Sequence, residues 1–273
     1  MPAKSKPNEK LARSQAALKA LQRRGQHVFQ SNEFTREDRE MLLRSGFIRR
    51  AMKGWLFASS PSARDDDSSL WHSVFWEFCA RYCQTRFAED WHFSAEQSLL
   101  LMAENRGVPA KLVIYTTKGK NNVIELPFGT SIYDLKQSEV PPPVDIWVND
   151  GLRVLSPAAA LVRVSESLYL THPIEVQSAL EACDASDVVA RLLEDGRSHF
   201  AGRLAGAFRR ANRPQVADKI LAAMKNAGYD VREKDPFAAE QTSPQQSSPI
   251  APVGKVKALW NSMRTAFLRK SGD

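Results

Sequence analysis

The sequence predicts an α+β protein: a small helix-and-hairpin module first, then a small, mostly antiparallel sheet with flanking helices, then a C-terminal helical part. Three observations predict it. Residues 34–57 (FTREDREMLLRSGFIRRAMKGWLF) read as one helix followed by a basic hairpin. Residues 112–155 hold short β-prone runs separated by Gly, Pro and Asp-Gly turn signals. Residues 156–227 read as a series of helices. Helices, then strands, then helices is the order of α+β rather than of alternating α/β chains.

The N-terminal module is built from local signals. Thr35 is a strong N-cap, and Asp38 three residues on completes a weak capping-box pattern. Met41, Leu42 and Phe47 form the helix's apolar edge, and Gly46 ends it. Phe47–Arg50 and Trp55–Phe57 are short β-prone runs joined through Lys53-Gly54. Ahead of them, 11–24 has helical spacing, with Leu11, Leu18 and Leu21 on one face and Ser14 as its polar break. His27-Val28-Phe29 reads as a short strand. Residues 1–10 are polar, and disorder is expected there. Helix, strand, helix and basic hairpin over 11–58 is the order of a winged helix. Such a module sets one helix in a DNA groove and the wing on the phosphates. Thr35, Arg36, Arg39, Arg44, Arg49, Arg50 and Lys53 are the candidate DNA contacts. Taken singly, each of these charges reads as an ordinary solvated one.

Charge is unevenly placed along the 273 residues. Residues 1–57 carry 13 Lys and Arg against 5 Asp and Glu, 58–190 carry 10 against 18, and 191–273 carry 15 against 8. A basic start beside an acidic middle fits a nucleic-acid reader joined to a partner-binding body. It also fits two parts that dock on each other by charge. No window is apolar enough to span a bilayer, and MPAKSKPNEK lacks a hydrophobic signal region. A cytoplasmic protein with no membrane partner is therefore expected. Three cysteines suit a reducing compartment better than a disulfide framework.

Residues 59–69 (SSPSARDDDSS) read as a linker. The body, 70–237, opens on a helix whose Trp71, Val74, Phe75, Phe78 and Tyr82 follow helical spacing, an aromatic stripe that belongs in a core. His72, Cys79 and Cys83 come near one another on the same wheel, with His92 further on, but the spacing is poor for a structural metal and no metal site is expected. Ser94 caps a second helix. Leu112–Thr117 and Asn121–Leu126 flank Lys118-Gly119-Lys120 and read as a hairpin. Ser131–Leu135, Val144–Val148 and Leu152–Leu155 are further strands, the last entered through the Asp150-Gly151 turn. Ser156-Pro157 opens the helical part, continuing through Pro173–Cys183, Ser186–Leu193, Ser198–Ala211 and Pro214–Ala227. Arg209, Arg210 and Arg213 read better as helix-end charges than as phosphate contacts. Residues 238–252 are a Gln/Ser/Pro linker. Residues 253–270 read as an amphipathic basic helix whose Trp260, Met263 and Phe267 are candidate partner-binding residues.

Residues 19–61, KALQRRGQHVFQSNEFTREDREMLLRSGFIRRAMKGWLFASSP, resemble the winged-helix part of bacterial proteins related to AbiEi-type antitoxins. They also resemble the non-catalytic N-terminal region of one group of bacterial Fic-family proteins, as do 204–237 and 248–267. At the place where AbiEi-like proteins carry an arginine before an Ala-Leu pair, this chain has Ala159. Fic chemistry needs a His-Pro-Phe motif and a Gly-Asn-Gly-Arg loop; here there is only Thr171-His172-Pro173-Ile174. No phosphate loop, dinucleotide fingerprint or nucleophile elbow is present either. A non-enzymatic regulator with no catalytic residue and no cofactor is expected. Its partners would be double-stranded DNA and, from the resemblance, a toxin or Fic-type protein, with self-association left open. The competing expectation is a protein-interaction module split or truncated from a Fic-type transferase.

Overall fold

The computed structural model describes residues 7–194 and 198–238. The tail expected at 253–270, with Trp260, Met263 and Phe267, lies outside the described residues, as does nearly all of the linker before it. The fold is mixed α+β and falls into two compact units. The first gathers 7–91, 108–137 and 150–152; the second gathers the remaining described residues.

In the first unit, α1 (Pro7–Gln22), β1 (Val28–Gln30), a 3₁₀ turn, α2 (Arg36–Arg44), β2 (Ile48–Met52) and β3 (Trp55–Ala58) follow in order. The first helix starts at Pro7, inside the stretch where disorder was expected, since proline is at home in a helix's first turn. β3 lies between β1 and β2, antiparallel to both. Leu18, Phe29, Phe34, Leu42, Ile48 and Leu56 close a small core among these elements.

α3 (Ser69–Phe87) is buried well beyond its aromatic stripe: Trp76, Cys79, Ala80 and Cys83 are buried as well. Trp71 is fully enclosed, its ring 5.2 Å from that of Phe57 and 5.3 Å from that of Phe78, and its Nε1 donates to Thr130 Oγ1 at 3.0 Å. His72 is exposed while Cys79 and Cys83 are enclosed, so the three do not converge. Burial pushes both thiols well above their ordinary range, the protonated state of packing residues. Among the described residues no cluster of His, Cys, Asp and Glu is arranged to hold a metal.

The middle sheet corrects one expectation. β5 (Lys111–Thr116) pairs parallel with β7 (Ser131–Lys136), and β6 (Asn122–Glu125) pairs antiparallel with β7's other edge. The sheet therefore carries a parallel pair beside its antiparallel one, and Lys118-Gly119-Lys120 does not close a hairpin. The hairpin lies one connection later, through Phe128 and Gly129, both with positive φ (56° and 69°).

The second unit contains β4 (His92–Phe93), α4 (Ala95–Met102), β8 (Ile146–Asn149), most of β9 (Leu152–Leu155), and then α5 (Pro157–Leu161), α6 (Glu166–Thr171), α7 (Pro173–Ala182), α8 (Ala185–Glu194), α9 (Ser198–Arg210) and α10 (Pro214–Asn226). Ser94 caps α4 by accepting from Gln97 N at 3.1 Å, and Ser156 caps α5. Ala159 is fully enclosed in α5, leaving no room for an arginine there. α6 is the helix the sequence reading missed; at six residues it is too short to show a period. The segment after α10 runs back along α9. Lys234 N donates to Gly202 O at 3.1 Å, and Arg209 grips Glu233 through both carboxylate oxygens at 2.7 and 2.8 Å. A Cβ on Gly202 or Gly206 would collide with the Arg232 or Lys234 carbonyl. No helix among the described residues is long and apolar enough to cross a membrane.

Candidate nucleic-acid interface

α2 is fixed at its start by paired hydroxyl–carboxylate contacts. Thr35 Oγ1 accepts from Asp38 N at 3.1 Å and donates to Asp38 Oδ2 at 2.6 Å, while Ser14 Oγ of α1 donates to Asp38 Oδ1 at 2.7 Å. These two hydroxyls hold the Asp38 carboxyl below its ordinary range. Ser14, the polar break on α1, is therefore the pin joining the two helices. A depressed carboxylate contributes stability above its unfolded pKa and loses it as pH falls through the lowered value. Asp38→Asn is accordingly expected to cost about 1 kcal/mol near neutrality. The gap in urea midpoint from wild type should close as pH drops below about 4.

Lys10 Nζ and Arg13 also reach Glu37 of α2, at 2.9 and 3.0 Å. The outward face of α2 then carries Arg36, Glu40 and Arg44 at four-residue steps. Arg36 Nε lies 2.8 Å from Glu40, and both side chains are at least half exposed. Such an exposed pair is screened by solvent and opens readily for a ligand.

The seven candidate contacts separate into two groups. Thr35 spends its hydroxyl on the cap, Arg39 donates to the Ser31 carbonyl at 3.0 Å, and Arg36 has its exposed partner. Arg49 departs furthest from expectation. It donates to the carbonyls of Ala63 and Arg64 at 2.7 and 3.2 Å and sits 3.1 Å from Asp65. Arg49 thus holds the 59–69 segment against β2, and that segment is no free spacer. Asp66 binds Arg64 and Asp67 accepts from Ser69 N, so the acidic run has local structural tasks. Arg44, Arg50 and Lys53 form the second group: all are exposed, and no salt bridge engages them among the described residues. A shallow open groove between α2, β2 and the 60–65 loop is lined by Leu43, Gly46, Arg49, Arg50, Pro61 and Arg64. Gly46 needs its positive φ of 72°, and a side chain there would press on Pro61. The turn past β2 is Lys53-Gly54, with Gly54 at φ 86° and Gly54 O accepting from Ser31 N at 2.9 Å.

Other candidates resolve into packing. Arg213 donates to the carbonyls of Leu180, Glu181 and Cys183, satisfying the exposed end of α7. Arg209 is held by Glu233 and Asp218. His172 ends α6 and precedes Pro173 at the start of α7.

No family model matches this chain, and no curated protein matches it. Among solved structures, it is similar to the crystal structure of the RV2827C protein from Mycobacterium tuberculosis. The TM-score is 0.50 at 15% sequence identity, over 95% of this chain and 94% of that one. At that identity the likeness is one of fold, and it runs the length of both chains.

Proposed function

We propose that the chain is a non-enzymatic DNA-binding regulator that reads duplex DNA with an N-terminal winged helix, in an antitoxin- or repressor-like role. One observation carries the reading. α1, β1, α2, β2 and β3 are arranged with β3 between β1 and β2, and Arg44, Arg50 and Lys53, exposed and in no salt bridge among the described residues, stand on α2, β2 and the turn beyond it. In that arrangement α2 enters the major groove and the β2–β3 turn lies on the backbone. The sequence resemblance to AbiEi-like antitoxins is in keeping with this.

The number of available cations sets the size of the salt effect. Arg36, Arg44, Arg50 and Lys53 contribute about four phosphate neutralisations, a share of about −4 in the log–log salt slope. Affinity for a labelled duplex, followed by fluorescence anisotropy, is then expected to fall at least about 100-fold between about 50 and 200 mM salt. A duplex left unbound by micromolar protein at the lower salt would overturn the proposal.

A further inference from the structure

We infer that the loop 117–121, with Lys118, Lys120 and Lys136, is a second phosphate-contacting element that engages the same duplex as the N-terminal module. The inference rests on the DNA-binding reading above and extends it to a part of the first unit outside the N-terminal module.

The loop is rigid by construction. Asp90 accepts from Thr117 N at 3.0 Å and also from the Thr117 hydroxyl. Asn121 N donates to Asp134 O at 2.9 Å, and Asn122 N to Asp134 Oδ1 at 2.7 Å. Asn121, at φ 56°, accepts from Lys136 N at 2.8 Å through its side chain. Gly119 is pressed onto the backbone of 134–136, and a Cβ there would come within 2.8 Å of Lys136 N. Asp134 is fully enclosed and satisfied by Arg86 at 3.1 Å. A lysine loop held at this many points is preorganised for its ligand.

The same contacts leave Lys120 and Lys136 available. The Asp134 carboxylate is taken by Arg86 and Asn122, and the Asp90 carboxylate chiefly by Thr117, with Lys118 4.0 Å away. Lys118, Lys120 and Lys136 are exposed, and the last two form no salt bridge among the described residues.

Position joins this loop to the β2–β3 turn. Beside that turn, the Trp55 ring lies 6.1 Å from that of Tyr82, and Gln30 Nε2 donates to Thr85 at 3.0 Å. The loop meets the next residues of the same helix: Lys118 Nζ donates to Phe87 O at 3.1 Å, and Arg86 reaches Asp134. Both basic elements therefore lie against the last two turns of α3, about 11 Å of helix. A half-site repeat of duplex, about 34 Å, spans both.

The test compares three proteins on one labelled 20-base-pair duplex across a salt series, each first shown to melt at wild-type temperature. They are wild type, Lys120→Ala/Lys136→Ala, and a charge-matched control, Lys219→Ala/Lys225→Ala, on the exposed side of α10. The loop variant is expected to bind about tenfold more weakly, with a salt slope shallower by about two, and the control to match wild type. In wild type, lysine acetylation read by mass spectrometry should show Lys120 and Lys136 protected by duplex, whatever the variant's stability. If wild type binds while the loop variant keeps the control's slope, or Lys120 and Lys136 acetylate equally with and without duplex, the inference fails and the N-terminal reading stands. If wild type does not bind duplex, both fail together.

Discussion

Arg44→Glu, Arg50→Glu and Lys53→Glu together are expected to weaken duplex binding at least 100-fold and to flatten the salt slope by about three. The three cations sit on the outward end of α2, on β2 and on the β2–β3 turn, and none serves a salt bridge among the described residues. Their replacement therefore removes no internal support, and a matching melting curve should verify this. Three repulsive carboxylates then stand where phosphates would lie, adding to the lost attraction. Arg49 is the instructive contrast. Its guanidinium serves the Ala63 and Arg64 carbonyls, so Arg49→Ala should loosen the 60–65 loop and lower stability before it changes the charge seen by DNA. Unchanged affinity in the triple variant would remove α2 and its hairpin from the interface.

Trp71→Ala is expected to lower stability by about 3–5 kcal/mol, the usual range for deleting an enclosed large aromatic. Trp71 touches Phe57 of β3, Phe75 and Phe78 of its own helix, and Thr130 ahead of β7. Its loss should therefore loosen both the N-terminal module and the middle sheet of the first unit. With a whole domain stable by about 5–15 kcal/mol, such a loss consumes a large share of the total. Trp71→Phe separates packing from hydrogen bonding. It keeps one ring, and Thr130 Oγ1 retains its donation to Pro127 O at 2.8 Å, so about 1 kcal/mol is expected. Urea unfolding followed by circular dichroism measures both; equal effects of the two substitutions would contradict the described packing.

What the sequence disclosed was chemistry acting over a few residues. Thr35, Ser94 and Ser156 cap helices because their hydroxyls reach an amide three positions on, and all three were legible. Asp150-Gly151, with φ of 51° and 76°, is the hairpin turn its dipeptide promised. What failed was settled at a distance. Lys118-Gly119-Lys120 has the composition of a hairpin turn, yet β7 inserts between the two strands it would join. Ser14 reads as a flaw on an apolar face until Asp38, 24 residues away, supplies its acceptor. Of the candidate interface, the basic residues were visible as a group. Which of them were already committed was not, because carbonyls such as those of Ala63 and Arg64 carry no signature in sequence.

The paired glycines of α9 bear on the order in which the second unit can assemble. Two glycines inside a 13-residue helix each weaken it by up to about 1 kcal/mol, so α9 in isolation holds its shape poorly. The stretch that rewards the close approach, 231–235, leaves the ribosome only after all of α10. During synthesis the glycine face of α9 thus waits for a later part of its own chain.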